Sequence, residues 1–462
     1  MSNPSTIWSP ALRVGALIAA CLALAEGQSA AQSLLLGAEL PVHRAPPLDS
    51  RLPRGELRWH SPWTGGNVEL WCSARRHLCV AGGKDVSPAL ASASLSALER
   101  AWELLVLGEG LPAPLRGSLQ GPGTLTWDLA PPAPGARPAA SDSGTPPVLQ
   151  VWSAPLLRGH RGDRAAARCL GRPGQSLERS ALQCVAEASL LGIAPATNGY
   201  VRRAWSSYLA ELLRPGDPQT LIDVERFARP PSEPTIGAEP SQRSAGALTF
   251  FGFLESRLER RRTGVLATSL LTRGLTETPA GAARWEAEPD LLDILQATTE
   301  GPEAPTGYAA LWEDFGLWRR ALTPPDATWR QDLWTAQRPA PDLVFPLESL
   351  PRRALTPHAL MPTGQVALWI PFGTTTPLPE ALGMRLTCEQ PASYCWTLSR
   401  TDAQGKLLGR IPIAFEPGQT QWERSVTLQA GDQGLMLVGT NLGGVDSRHP
   451  FDPDIAPYEP HA

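Results

Sequence analysis

The chain has 462 residues, 42% of them apolar, and a formal net charge of −4. This length is too great for one ordinary domain, so two or three are expected, and the apolar content is that of a globular protein. The weakly acidic balance offers no basic footprint for DNA or RNA, so a nucleic-acid partner is not expected.

The N-terminus has the pattern of a secretion signal. Arg13 precedes an apolar run at residues 14–25, which is too short to span a bilayer but suits the core of a signal peptide. We therefore predict a signal peptide at 1–25 and a flexible mature N-terminus at 26–55. The alternative is a lipobox in which Cys21 is lipidated. No later stretch predicts a transmembrane helix, so the protein is expected in the periplasm, at the cell surface or outside the cell.

The cysteine spacing also favours export. Setting Cys21 aside leaves six cysteines, which form three close pairs in sequence, and local pairing is the simplest of the fifteen connectivities. The predicted disulfides are Cys72–Cys79, Cys169–Cys184 and Cys388–Cys395. In the first and third pairs, C-x6-C on a hairpin would place the cysteines opposite each other. Zinc-binding cysteine spacing is absent, so zinc is not expected, and the disulfides indicate an oxidising compartment.

Residues 56–175 predict an N-terminal α/β portion. Two strands at 68–72 and 78–81 form a hairpin, and a helix begins at Pro88 with Ser87 as its cap. Strands at 124–129 and 148–153 alternate in polarity. Between them, the proline-rich residues 131–147 cannot pack a core, so we predict a disordered surface insertion.

Residues 176–325 predict a helical portion. Ser176 can cap a first helix whose apolar residues recur at three- and four-residue spacing, and a second helix opens near Asn198. Further helices are expected at 217–227, 245–262, 290–298 and 308–322.

From 344 to 462 the pattern changes to short strands. They are expected at 366–370, 384–388, 395–398, 407–413, 425–428 and 435–438, and this spacing favours a β-sandwich. The predicted fold class is therefore α+β, with the N-terminal α/β and helical portions followed by an antiparallel β-sandwich.

An acidic tail ends the chain and makes calcium a candidate ligand. Its hard oxygen donors are Asp446, Asp452, Asp454 and Glu459. EF-hand spacing is absent, and four prolines after His449 favour the alternative of an extended strap over the sandwich.

The order of elements resembles secreted zincin-type metallopeptidases of bacteria. The matching stretches are ALERAWELL, GALTFFGFL and LWEDFGLWRRAL, with a central helix between the first two and a terminal β-domain after the third. In that family the central helix carries H-E-x-x-H, in which two histidines bind zinc and the glutamate is the general base. The resemblance places the glutamate at Glu187 and the two zinc ligands at Ala186 and Leu190. Without imidazoles this helix has no means of holding zinc.

The leading hypothesis is an exported, non-catalytic protein that binds a peptide, a glycan or another envelope component. Glu187 would then be either a helix-surface carboxylate or a group retained in a cleft to bind a peptide amine. The first alternative is an active hydrolase that combines Glu187 with the distant His160 or His358. The second is a structural envelope lipoprotein anchored at Cys21.

Tryptophans near the first cysteine pair add one further candidate surface. Trp59, Trp63 and Trp71 could form a platform for sugars or peptides, or they could fill a core.

Overall fold

The protein is described by a computed structural model. The model describes residues 57–60, 67–73, 76, 78–82, 86–111, 113, 125–128, 150–153, 165–170, 176–193, 197–237, 243–257, 276–277, 285–286, 290–300, 307–320, 333, 339–350, 360–373, 378–388, 390–403 and 406–443. The predicted signal peptide, the insertion at 131–147, and Cys21, Asp446, Asp452, Asp454 and Glu459 lie outside these residues. So do His160, His358 and Trp63.

The N-terminal portion contains a six-stranded mixed sheet and one long helix. Its elements are β1 (Leu57–His60), β2 (Asn67–Cys72), β3 (Leu78–Gly82), α1 (Pro88–Trp102) with a π-helical continuation (Glu103–Gly108), β4 (Leu125–Asp128), β5 (Gln150–Ser153) and β6 (Ala165–Leu170). The strand order is β1-β2-β3-β4-β6-β5. Strands β3, β4 and β6 run parallel, and the other pairs are antiparallel.

Two predictions for this portion are confirmed. Ser87 caps α1 by accepting a hydrogen bond from the backbone N–H of Leu90, and Pro88 occupies the first turn. Cys72 and Cys79 are register partners on β2 and β3, with Cα atoms 4.1 Å apart, and they form a disulfide.

The central portion is helical. Its elements are α2 (Leu177–Ile193), α3 (Gly199–Leu213), α4 (Pro218–Ala228), α5 (Leu248–Arg257), a two-stranded hairpin of β7 (Thr276–Glu277) and β8 (Trp285–Glu286), α6 (Leu291–Thr299) and α7 (Tyr308–Arg320). Asn198 caps α3 and Asp217 caps α4, as their positions in the sequence predict. Aromatic rings join α5 to α7, with Phe250 stacked on Trp312 at 5.1 Å and against Phe315 at 4.9 Å.

The C-terminal portion consists of two sheets. Its strands are β9 (Leu343–Val344), β10 (Gln365–Pro371), β11 (Ala381–Thr387), β12 (Tyr394–Thr401), β13 (Leu407–Ile413), β14 (Gln421–Thr427) and β15 (Gly434–Asn441). One sheet has the order β13-β12-β15-β10-β9, and β11 pairs with β14 in the other. The β9–β10 pair is parallel, so the larger sheet is mixed rather than wholly antiparallel. The α+β fold class is confirmed.

Apolar side chains from both sheets meet in one core. It contains Val366, Ile370, Phe372, Trp396, Leu398, Ile413, Trp422, Val426, Leu435 and Leu437. The opposite face of the larger sheet is covered by α7, where Leu317 packs on Ala367, Met436 and Val438. The larger sheet therefore lies between a helix and the smaller sheet.

The predicted Cys388–Cys395 disulfide is wrong, because both cysteines are buried free thiols. The prediction assumed that the C-x6-C segment forms a hairpin. Instead, Cys388 directly follows β11 of the smaller sheet and Cys395 lies on β12 of the larger one, so the chain crosses between sheets where a turn was expected. Cys184 is disulfide-bonded. The backbone of its predicted partner Cys169 lies on β6, which packs against α2.

A loop after α4 joins the helical portion to the start of β10. Pro231 and Ser232 accept backbone hydrogen bonds from Gln365 and Met361, at 2.8 and 3.1 Å. Thr235 donates its hydroxyl to the Thr363 carbonyl at 2.9 Å. A Cβ on Gly364 would lie 2.2 Å from the Ser232 carbonyl oxygen, so this approach requires glycine.

Candidate functional site

The helix that the resemblance would make catalytic is α2, and it is buried on every side. Ser176 caps it by accepting a hydrogen bond from the Arg179 N–H at 3.3 Å. The helix packs between α1 and α3. Every residue from 179 to 190 is buried, so this segment presents no side to an open cleft.

The two positions at which the resemblance would place zinc ligands belong to the apolar core. Ala186 and Leu190 are each 0% exposed, and both pack in the cluster that also holds α1, α3, α5 and α7. An imidazole at either position would have to displace packed neighbours before it could reach a metal.

Glu187 is a buried, paired carboxylate. Its side chain is 8% exposed, and Oε1 lies 3.1 Å from Arg203 Nε, an ion pair that is not aligned as a hydrogen bond. Oε1 also accepts a hydrogen bond from the Ser206 hydroxyl at 3.2 Å. The interpretation of Glu187 as a helix-surface carboxylate is therefore wrong. Its position on the helix was readable from sequence, but the neighbour that covers it was not.

A second guanidinium stands close to the same carboxylate. Burial lowers the pKa of Arg202, and the negative charge of Glu187 opposes that shift. Glu187 therefore pairs with Arg203 and also acts electrostatically on the preceding residue of α3, Arg202.

The Glu187–Arg203 pair is one rung of a buried polar ladder between α2 and α3. In the middle rung the Gln183 amide donates to the Ser207 hydroxyl at 3.1 Å. In the third rung Arg179 pairs with Glu211, which is fully buried. The rungs are four residues apart on each antiparallel helix, so each falls one turn from the next.

The Glu211 end of the ladder is completed by the next segment of the chain. Glu211 accepts a hydrogen bond from the Thr220 hydroxyl at 2.7 Å and one from the Gly216 N–H at 3.0 Å. Arg179 Nε also lies 3.6 Å from Asp217. Both ends of the ladder therefore pair opposite charges, and the arrangement can fix the register of the two helices.

Sequence reasoning missed this ladder, although a signal was present. On α2 the polar residues 179, 183 and 187 recur at helical spacing, and on α3 residues 203, 207 and 211 do the same. Both sets run from Arg to Glu along the chain, so antiparallel packing brings opposite charges together. A search for charged residues at the same helical spacing on two consecutive helices would have found the ladder.

A second polar set lies between α7 and the larger sheet. Gln365, Thr397, Ser399 and Thr440 are at most 1% exposed, and each has a side-chain atom with no hydrogen-bond partner in the described part of the chain. Arg319 at the end of α7 is 2% exposed and borders this set. A helix was expected at 308–322, but its buried charge was not predicted.

Among the described residues, the contacts of Glu187 include no other predicted site residue. Within the described ranges, no group of three or more His, Cys, Asp and Glu side chains could hold a metal ion. Trp71 packs partly buried against the main core, and of Trp59 only the backbone, on β1, is described. Among the residues that the structure places, no helix is long and apolar enough to cross a bilayer.

Comparison with known proteins found no matching family model, curated protein or solved structure.

Proposed function

We propose that this chain is an exported protein that binds a peptide and does not hydrolyse it, built on the plan of a zincin-type metallopeptidase. The observation that carries the proposal is the burial of Glu187 against Arg203. A general base must reach the proton that it removes, directly or through one water. Here that carboxylate is enclosed between two helices and compensates a guanidinium.

Two further features support export and the absence of zinc chemistry. The Cys72–Cys79 disulfide is of the kind that persists in oxidising compartments. Apolar core residues replace both imidazoles that the zincin plan requires, so the helix supplies no nitrogen ligand to lower the pKa of a bound water.

Of peptide, glycan and other envelope components, the described surface favours an extended peptide. Cys388 donates its N–H to the Thr420 carbonyl, and Leu428 donates to that of Glu380, so the even-numbered residues of β11 face β14. The N–H groups of odd-numbered residues such as Gly383 therefore point away from β14, and no described strand pairs with that edge. A peptide strand could add to it through main-chain hydrogen bonds.

The edge of β11 lacks two residue types that often block strand addition, and its one charged side chain, Arg385, is paired with Glu423 on β14. It contains no proline or lysine, and a Cβ on Gly383 would meet open space. The edge strand of the larger sheet, β13, contains Pro412. This contrast makes β11 the better candidate for peptide binding.

The catalytic part of the proposal is tested on protein purified from the periplasm without added metal. We expect less than stoichiometric zinc and no cleavage of casein or of a peptide library, with or without added zinc. Stoichiometric zinc, together with cleavage that a chelator abolishes, would overturn the proposal.

The binding part is tested on peptide and glycan arrays with labelled protein. Gly383→Pro removes an edge donor and should abolish peptide binding, whereas the matched Gly383→Ala should leave it unchanged. Melting curves verify that both variants fold. Binding that is confined to glycans, or peptide binding that survives Gly383→Pro in a folded protein, would contradict the assignment.

A further inference from the structure

Three arginines and two carboxylates meet where α4, α7 and the loop after α4 come together. Arg243 pairs with Glu233, and Arg320 pairs with Asp342 at 3.1 Å. Arg319 is left without a carboxylate partner among the described residues. Of these five charged groups, the one without an ion pair is a side chain that is 2% exposed.

The contacts of Arg319 compensate its charge only in part. Its Nη2 donates to the Phe227 carbonyl at 2.8 Å, and its Nη1 lies at the outer limit of a hydrogen bond, 3.5 Å, from the Gln365 amide oxygen. The guanidinium lies 4.6 Å from the centre of the Phe227 ring. Its Nε is buried and has no partner in the described part of the chain.

Further buried hydrogen-bond donors lie near this guanidinium, likewise without described partners. The Gln365 amide nitrogen has none, although its oxygen accepts from Arg319. The Tyr200 hydroxyl is buried without a partner. Burial raises the pKa of Tyr200, and the charges of Arg243 and Arg319 oppose that rise.

A buried cation without a counterion is costly, and an arginine does not escape the cost by losing its proton. Burial lowers the pKa of Arg319 to about 9, with the neighbouring Arg320 and Arg243 adding to the fall. A group with that pKa is still protonated at neutral pH. Native structures satisfy such groups with an opposite charge, and breaking a buried pair is strongly unfavourable.

We propose that Arg319, Tyr200 and Gln365 bind one small monoatomic anion of the chloride class. The Arg319 Nε, the Gln365 amide and the Tyr200 hydroxyl all donate, as an anion requires, whereas a water molecule would leave the charge uncompensated. The surroundings are tightly packed, since a Cβ on Gly237 would lie 2.6 Å from the Tyr200 ring and one on Gly316 would lie 3.3 Å from the Gln365 amide nitrogen. A single-atom ion is the anion that would compensate the charge with the least displacement of these side chains. The site is separate from the proposed peptide edge on β11.

The anion is tested by melting the intact protein in sodium chloride and in sodium gluconate at equal ionic strength. A ligand that binds only the folded state stabilises it in a saturable way. We expect the melting temperature to rise by about 5 °C at a chloride concentration near 100 times the dissociation constant. Equal melting temperatures in the two salts would overturn the proposal.

Substitutions test whether the dependence of the melting temperature on chloride arises at Arg319. Arg319→Met should remove the dependence on chloride, whereas Arg385→Met, on an exposed ion pair, should keep it. Tyr200→Phe preserves the ring and should raise the half-saturating chloride concentration about fivefold. If Arg319→Met does not fold, Tyr200→Phe decides, and a half-saturating concentration equal to that of the parent overturns the assignment. In crystals grown with bromide, an anomalous peak should lie within hydrogen-bond distance of Arg319 Nε.

Discussion

The polar ladder between α2 and α3 and the second polar set, between α7 and the larger sheet, bury the same kinds of side chain in different ways. In the ladder, Arg179 faces Glu211 and Arg203 faces Glu187. Next to the second polar set, Arg319 faces the Gln365 amide and the carbonyl and ring of Phe227. Both regions bury charged side chains. In the ladder each arginine is paired with a glutamate, whereas Arg319 has no carboxylate partner among the described residues.

This difference indicates where a ligand is to be sought. A balanced buried pair can often be replaced by apolar residues at little cost, so it is weak evidence of function. An unbalanced buried charge needs something else to compensate it. On this criterion Arg319 is a better candidate for ligand binding than Glu187, the carboxylate to which the resemblance points.

The largest expected effect comes from unbalancing the ladder. Glu211→Ala leaves Arg179 without its buried partner and removes an acceptor from Thr220 and Gly216. We expect the free energy of unfolding to fall by about 3–5 kcal/mol, measured by urea denaturation. Glu178→Ala, on α2 next to Arg179, is the matched control. Its half-exposed carboxylate pairs with Arg214, and its loss should cost about 0–1 kcal/mol. Equal losses would mean that the ladder is not the stronger contact.

The next largest effect tests whether the buried pair matters because its charges cancel. Arg203→Met leaves Glu187 buried without its ion-pair partner and should cost about 3 kcal/mol. The double change Glu187→Leu with Arg203→Met removes both charges and should return stability to within about 1 kcal/mol of the parent. Chemical denaturation of both single variants and the double variant gives the coupling. Additive losses would mean zero coupling and would show that Glu187 and Arg203 do not compensate each other.

A smaller effect is expected at the α7 side of the comparison. A Cβ on Gly316 would lie 3.0 Å from Val438 Cγ1 and 3.3 Å from the Thr440 hydroxyl, both on a central strand that cannot move aside. Although alanine favours a helix over glycine by about 1 kcal/mol, we expect Gly316→Ala to lower stability by about 1–2 kcal/mol. Gly383→Ala, in open space, is the control in the same thermal melts. A stabilised Gly316→Ala protein would show that this interface is loosely packed.

The smallest effect is a pH dependence at the same interface. Burial, and to a lesser extent the charge of Glu313, raise the pKa of the Cys395 thiol to about 12. Above the unfolded pKa near 8.5, the unfolded chain loses this proton and the folded chain keeps it, so stability falls as pH rises. Between pH 8 and 9 the loss should be about 0.7 kcal/mol.

The measurement compares unfolding of the parent and of Cys395→Ser at the two pH values. The variant should lack this part of the slope, and an identical slope would contradict the assignment. An aromatic disulfide reagent at pH 8 should leave Cys395 unmodified until the protein is unfolded.

Local structure was readable from the sequence because its causes are local. The caps at Ser87, Asn198 and Asp217 act within one turn, and the helices begin where these caps predict. The Cys72–Cys79 pair was predictable for a similar reason, since a short hairpin forces its residues opposite each other.

What the sequence could not supply was the partner across a tertiary contact. The same C-x6-C spacing did not predict the structure at Cys388 and Cys395. There β11 pairs with β14, which begins at Gln421, thirty-three residues after Cys388. Glu187 was placed on the correct helix, but its burial depends on how α3 packs over it. Periodicity identifies the face of an element and does not identify what covers that face.

The loop that runs from α4 to the start of β10 has a consequence for cooperativity. Because Pro231, Ser232 and Thr235 share hydrogen bonds with residues 361–365, neither the helices nor the sheets can open without losing contacts that belong to the other. Local opening is therefore expected to spread from one portion to the other as a single event. A peptide captured at the β11 edge would slow amide exchange in the helices as well, even though it touches none of them.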